Sequence, residues 1–280
     1  MDSTFPIKGR YITAIWLLPL LYLPGVNFVY NFIDPSKEWY WFDIAYYFYY
    51  YSIFAACMAI LITCHNISWR LMFQKPASAD YLPSIKLTTF IFIFSIAAAY
   101  ALFYPLSFLQ PEFVNYWLIE LPPVIYSSQQ QFPILPNALS FIALVILAPV
   151  IEEFAFRGIL LHRWSHKWGI NKAILLSSLL FGITHSDPIG AIAFGIAMCI
   201  IYLKTQTLVI PMLCHAINNL VFWLSEVGYI VWLGPDYVYS IEDFQEEWPV
   251  GIVAALVVAV WAYTYINSEK SQQVWRLPKI

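Results

Sequence analysis

The stretch Glu152-Glu153-Phe154-Ala155-Phe156-Arg157-Gly158 puts three ionisable side chains inside an apolar run from Ala138 to Leu161 that is long enough to cross a bilayer. A charged side chain at the centre of a membrane helix costs roughly 2.5 to 3.5 kcal/mol on insertion scales, so such residues face a bundle interior and mark a functional site. That constraint decides the fold class before any other. These residues need a protein cavity around them, and the rest of the chain has to build it.

The composition supplies the material. Of 280 residues 61% are hydrophobic, 19% aromatic and only 11% charged, against about 25% charged in an ordinary soluble domain. A span needs about 20 apolar residues, and eight candidate spans follow: 11–30, 42–63, 87–109, 138–161, 172–185, 189–203, 207–225 and 248–266. The fifth and sixth are short. The first follows Lys8 and Arg10 and is interrupted by Pro24, with no small-residue cleavage site after it, so a retained helix is expected in preference to a signal peptide. The expected fold is an all-α polytopic transmembrane helical bundle of about eight spans, forming a single membrane domain over 1–280.

Charge placement tests the helix count, because positive residues concentrate in cytoplasmic loops. Lys8 and Arg10, then Arg70, Lys75 and Lys86, then Arg163, Lys167 and Lys172, then Lys204, and finally Lys270, Arg276 and Lys279 all fall on one side, and only Lys37 falls opposite. The opposite side holds Glu112 and Glu120 in one loop and Asp236, Glu242, Asp243, Glu246 and Glu247 in another. Both termini are therefore expected in the cytoplasm. The formal net charge is −3 and no basic stripe points to nucleic acid.

Cys57, Cys64, Cys199 and Cys214 lie in apolar spans and read as small packing residues, not a disulfide framework. Trp39 to Tyr51 is dense in Trp and Tyr, which suits an interfacial belt. Spans one to three carry hardly any ionisable residue in their middles, whereas spans four, five and seven carry Glu152, Glu153, Arg157, His185 and His215, so chemistry is expected after residue 138. The segments 65–86 and 110–137 read as connections. Pro149, one turn before Glu152, should kink span four by removing a backbone hydrogen bond, leaving a carbonyl for the bundle to satisfy.

Glu153 and Arg157 are four apart and share a helix face as natural ion partners. Glu152 lies about 100° around the helix from Glu153 and is free to point elsewhere. Phe181-Gly182-Ile183-Thr184-His185 ends span five in a histidine, and His215-Ala216-Ile217-Asn218-Asn219 puts a histidine and a carboxamide on one face of span seven. Counting about 1.5 Å per residue from each cytoplasmic end sets Glu152 at roughly 15 Å, His215 at roughly 12 Å, Asn219 at roughly 18 Å and His185 at roughly 20 Å. One slab contains them all. Each could be a hydrogen-bonded core residue, but four at one depth from three helices define a polar cavity.

No HExxH occurs. His162 and His166, four apart, fall in a basic loop and are expected to be solvated. No GxSxG motif accompanies the histidines, and Cys214 points about 100° away from its neighbour His215 with no activating base. An activated water remains. A Glu near a His can take a proton from water as it attacks an amide carbonyl, and His215 and Asn219 could donate to the oxyanion that forms.

EExxxR at Glu152 to Arg157, FxxxH at Phe181 to His185 and HxxxN at His215 to Asn219 resemble, in order and spacing, the CPBP family of CAAX-processing and bacteriocin-processing intramembrane proteases. The resemblance covers about 138–225, a CPBP-like catalytic core. It implies an intramembrane endopeptidase of the type II CAAX prenyl class that acts on a membrane-associated, sometimes prenylated, protein or peptide in a prokaryotic cell membrane. Carried over by motif position, Glu152 and His185 activate water, His215 and Asn219 form the oxyanion hole, and Glu153 and Arg157 support them. No cofactor is expected; the alternative is zinc held by Glu152, His185 and His215. Competing functions are a non-catalytic binding, scaffold or bacteriocin-immunity protein that uses the same cavity, and a transporter, which lacks the expected inverted repeat.

Overall fold

A computed structural model describes residues 7, 11, 40–121, 124–127, 132–235, 237–268 and 277–278. Seven helices carry the architecture: α1 (Tyr40–Cys64), α2 (Ser78–Leu109), α3 (Ile134–Trp168), α4 (Ile170–Gly182), α5 (Pro188–Thr205), α6 (Val209–Leu233) and α7 (Trp248–Ser268). Among the described residues no strand occurs, and α1, α2, α3, α5 and α6 are each long and apolar enough to cross a membrane. The protein is an all-α polytopic membrane protein. The expected first span, 11–30, lies outside the described residues apart from Tyr11, as do the charges of both termini.

Except for α4, the helices run longer than the apolar runs that announced them. α2 begins at Ser78, nine residues before its apolar run, and α3 continues to Trp168, past the expected stop at Leu161. That continuation overturns one expectation. His162 is not solvated but buried, its Nε2 2.9 Å from the Tyr202 hydroxyl of α5, while His166 one turn on is exposed as expected. α3 stops where Gly169 takes φ +84°, a conformation that side-chain-bearing residues rarely adopt.

Within α3 two turns are wound in the wider π register, Ile142–Leu147 and Phe154–Leu161. The first has a visible cause nearby. Ala148 donates its N–H to Ala143, five residues back, so in the same register the Leu144 carbonyl would wait for an N–H at position 149, which proline lacks.

α4 has 13 residues and is therefore only about 20 Å long, short of the roughly 30 Å hydrocarbon core. It forms a hairpin with α5, and α5 packs in turn on α2, with α7 along the far side of α2. α6 lies against α2, α3 and α5, and α1 lies against α3. The main core gathers Phe156, Phe181, Phe194, Met198 and Tyr202 between α3, α4 and α5. Gly195 allows one close crossing. A Cβ there would stand 2.9 Å from Cβ of Ser178, so the absence of a side chain sets the approach of α5 to α4. The four cysteines are free thiols, Cys199 and Cys214 buried and Cys64 exposed at the end of α1.

Candidate functional site

Glu153 is the most enclosed of the charged groups. Its exposure is 0%, and its Oε1 accepts from Nη1 of Arg157 at 2.8 Å and from Nδ1 of His215 at 3.0 Å. The first bond is the i to i+4 pair the helix spacing predicts. The second crosses from α6 to α3. A carboxylate only accepts, so the His215 Nδ1 carries the proton and its Nε2 faces away from Glu153.

Arg157 is fixed at more than one point. Its Nη2 donates to the Gly195 carbonyl of α5 at 3.0 Å, and its guanidinium lies 5.0 Å from the centre of the Phe181 ring. A planar guanidinium can serve a carboxylate, a carbonyl and a ring face at once, which an ammonium cannot. One buried residue thereby ties α3 to both members of the α4–α5 hairpin.

Phe181 is the hub of the aromatic packing. His185 stacks on it at 4.3 Å between ring centres, His215 meets it edge-on at 5.9 Å, and Phe156 and Phe194 close its other sides at 5.1 Å and 5.9 Å. The two histidines that the motifs single out therefore share one phenyl ring. His185 does not end a helix, as its run suggested. α4 stops at Gly182 and His185 occupies the turn before α5, where its Nδ1 donates to the Phe181 carbonyl at 2.8 Å. That bond places the proton on Nδ1 and leaves the Nε2 lone pair available. Trp117 Nε1 donates to the Ser186 carbonyl at 2.7 Å, and Ser95 of α2 donates to Asp187, whose other oxygen caps α5 through Gly190 N–H at 3.0 Å.

Glu152 points elsewhere, as its angular offset requires. Its Oε1 accepts from the Tyr51 hydroxyl of α1 at 3.3 Å, and its Oε2 has no hydrogen-bond partner among the described residues. Tyr51 precedes residue 138, so a residue of the earlier half also touches the polar cluster. The signal present in the sequence was the tyrosine-rich start of α1, which reads equally well as an interfacial belt.

Asn219 reaches a group that residue types alone could not name. Its Nδ2 donates to the Leu144 carbonyl at 2.9 Å, the acceptor freed by Pro149. The carboxamide retains a second N–H. Among the described residues, then, the site sets two carboxylates against one guanidinium, with Glu153 paired and Glu152 met by the Tyr51 phenol. Among the described residues no three His, Cys, Asp or Glu side chains are gathered closely enough to share a metal ion, and Glu152, His185 and His215 form no such set.

Residues 134–221 match the family model described as type II CAAX prenyl endopeptidase Rce1-like. This segment is similar to the Rce1-like family. The Rce1-like segment runs from the start of α3 to the middle of α6 and contains all three motifs. A curated relative from Bacillus subtilis (strain 168), named "Putative membrane peptidase YdiL", is 31% identical over 77 residues, which is 26% of this chain and 32% of that protein. The chain thus matches about a third of the length of that relative. No solved structure matches the chain. Tyr51, Ser95 and Trp117 lie outside the Rce1-like segment, yet each touches a motif residue or the turn that holds one.

Proposed function

We propose that this protein is an intramembrane endopeptidase that hydrolyses a peptide bond of a membrane-associated, in some cases prenylated, protein or peptide. The observation that carries this reading is the shared Phe181 ring, with His185 and His215 packed on it from the α4–α5 turn and α6, beside the Glu153–Arg157 pair of α3. The Rce1-like match over the same residues supports it.

In this reading Glu152 Oε2 accepts a proton from water while the water oxygen bonds to the scissile carbonyl carbon. His185 Nε2 accepts the water's other hydrogen and orients its attack. The carbonyl electrons move onto oxygen. His215, with Nδ1–H committed to Glu153, donates from Nε2 as the imidazolium, its charge balanced by that carboxylate, and the second N–H of Asn219 completes the oxyanion hole. Collapse breaks the C–N bond as Glu152 returns its proton to the leaving nitrogen. Glu153 and Arg157 hold His215 and the α4–α5 hairpin in place. The route uses no cofactor; zinc is the alternative, and chelation with 1,10-phenanthroline should leave turnover intact.

The test is to map new peptide termini in membranes of cells expressing wild-type protein or Glu152→Gln. We expect termini that vanish with Glu152→Gln, and a loss of about a hundredfold or more in turnover, as for removal of a general base. A termini profile unchanged by the substitution would refute the enzyme and favour a binding or scaffold role for the cavity.

A further inference from the structure

α1 lies wholly outside the Rce1-like segment, yet it supplies the hydrogen-bond partner of Glu152. Tyr51 is 8% exposed, and its ring is braced edge-on by Tyr50 at 5.2 Å. Beyond it on the same face of α1, at the spacing of successive turns, come Ala55, Met58, Ala59 and Ile62. With Val150 and Phe154 of α3 these line an open apolar groove of about 250 Å³. The α1 face beyond Tyr51 is therefore apolar where it approaches α3, and the phenolic hydroxyl is the polar group that α1 offers Glu152.

Resting on the proteolytic reading, we propose that Tyr51 is a positioning residue for Glu152. By occupying Oε1 it fixes the carboxylate rotamer and leaves Oε2 free of protein donors, so that a water can deliver its proton there. A phenol suits this task. It donates a directional hydrogen bond without the positive charge that would tie up the base, and its ring has only two torsions to order. A cation at position 51 would instead make a second buried ion pair. The catalytic carboxylate is thus set by a helix that carries none of the three motifs.

Two measurements test this on the full-length protein in proteoliposomes. The membrane-soluble carbodiimide dicyclohexylcarbodiimide, with mass-spectrometric readout of Glu152 modification, reports on the carboxylate whether or not a substrate is known. Tyr51→Phe retains the ring and frees Oε1, so labelling of Glu152 should rise threefold or more over wild type, while Tyr50→Phe should leave it unchanged. Turnover is read with a quenched-fluorescence peptide bearing a farnesylated cysteine three residues before its C-terminus. Tyr51→Phe should lower kcat about tenfold, equivalent to about 1.4 kcal/mol, with KM within twofold. A purely structural role would not split the constants in that way. Equal labelling in wild type and Tyr51→Phe would overturn the contact, and raised labelling with unchanged kcat would overturn the positioning role. No cleavage of the peptide by wild type would count against the proteolytic reading, and the labelling contrast would still decide the contact.

Discussion

Replacing Arg157 by Met should be among the most damaging single changes in this chain. The guanidinium is 1% exposed and donates to Glu153 Oε1 at 2.8 Å and to the Gly195 carbonyl at 3.0 Å. Met fills a similar volume but donates nothing, so Glu153 would stay fully buried with only the His215 N–H at 3.0 Å. Its Oε2 already lacks a partner. Breaking a buried pair by removing one member typically costs about 3 to 5 kcal/mol, mostly as the penalty of the charge left behind. The double variant Glu153→Gln/Arg157→Met removes that charge and should recover about 2 kcal/mol or more of the loss. Arg157→Lys should fall between, because one ammonium cannot serve the carboxylate and the carbonyl together, at a cost of about 1.5 to 3 kcal/mol for a lost charge-assisted hydrogen bond. Unfolding in mixed micelles, followed by the fluorescence of the 12 tryptophans, gives all three values. If the double variant is no more stable than Arg157→Met, the energetics assigned to the pair are wrong.

Further outcomes follow from other contacts. Asn219→Ala should leave the Leu144 carbonyl without its donor and lower stability by about 1 to 3 kcal/mol, read in the same unfolding assay. Gly195→Ala would set a methyl 2.9 Å from Ser178 Cβ, so a loss of about 1 to 3 kcal/mol is expected, partly recovered by adding Ser178→Gly; no recovery would mean the strain lies elsewhere. In the 237–247 segment, the Ser240 hydroxyl and backbone N–H hold the Asp243 carboxyl below the ordinary carboxylate range. A lowered folded value stabilises above the unfolded pKa of about 3.9 and is lost as pH falls through the folded one. Amide exchange over Ile241–Glu246 should therefore quicken selectively in acid below about pH 4, and Asp243→Asn should abolish that pH step.

The all-helical bundle was legible because apolar length is a strong signal, and the Glu153–Arg157 pair because helix geometry fixes which residues meet at i and i+4. The partnership of His215 with Glu153 was not foreseen; depth set His215 level with Glu152, and spacing gives height along a helix but not the rotation of one helix against another. His162 was misjudged because α3 runs on past its apolar stretch, and helix packing buries a polar residue that composition assigns to solvent. His185 sits in a turn because α4 stops at Gly182, and a turn tied by Trp117 and Ser95 has no local sequence signature. Tyr51 was hidden among neighbouring tyrosines. A hydroxyl becomes special only when a distant carboxylate arrives beside it.

The pyrrolidine ring at position 149 has a reach beyond its own helix. By withholding one hydrogen it creates a vacancy on the α3 backbone, and a carboxamide from α6 docks there instead of swinging freely in the cavity. A local defect in one helix thus acts as the socket that orients a functional group of another. The two positions are mechanically linked, so restoring the backbone hydrogen at 149 would release Asn219 without any change at Asn219 itself.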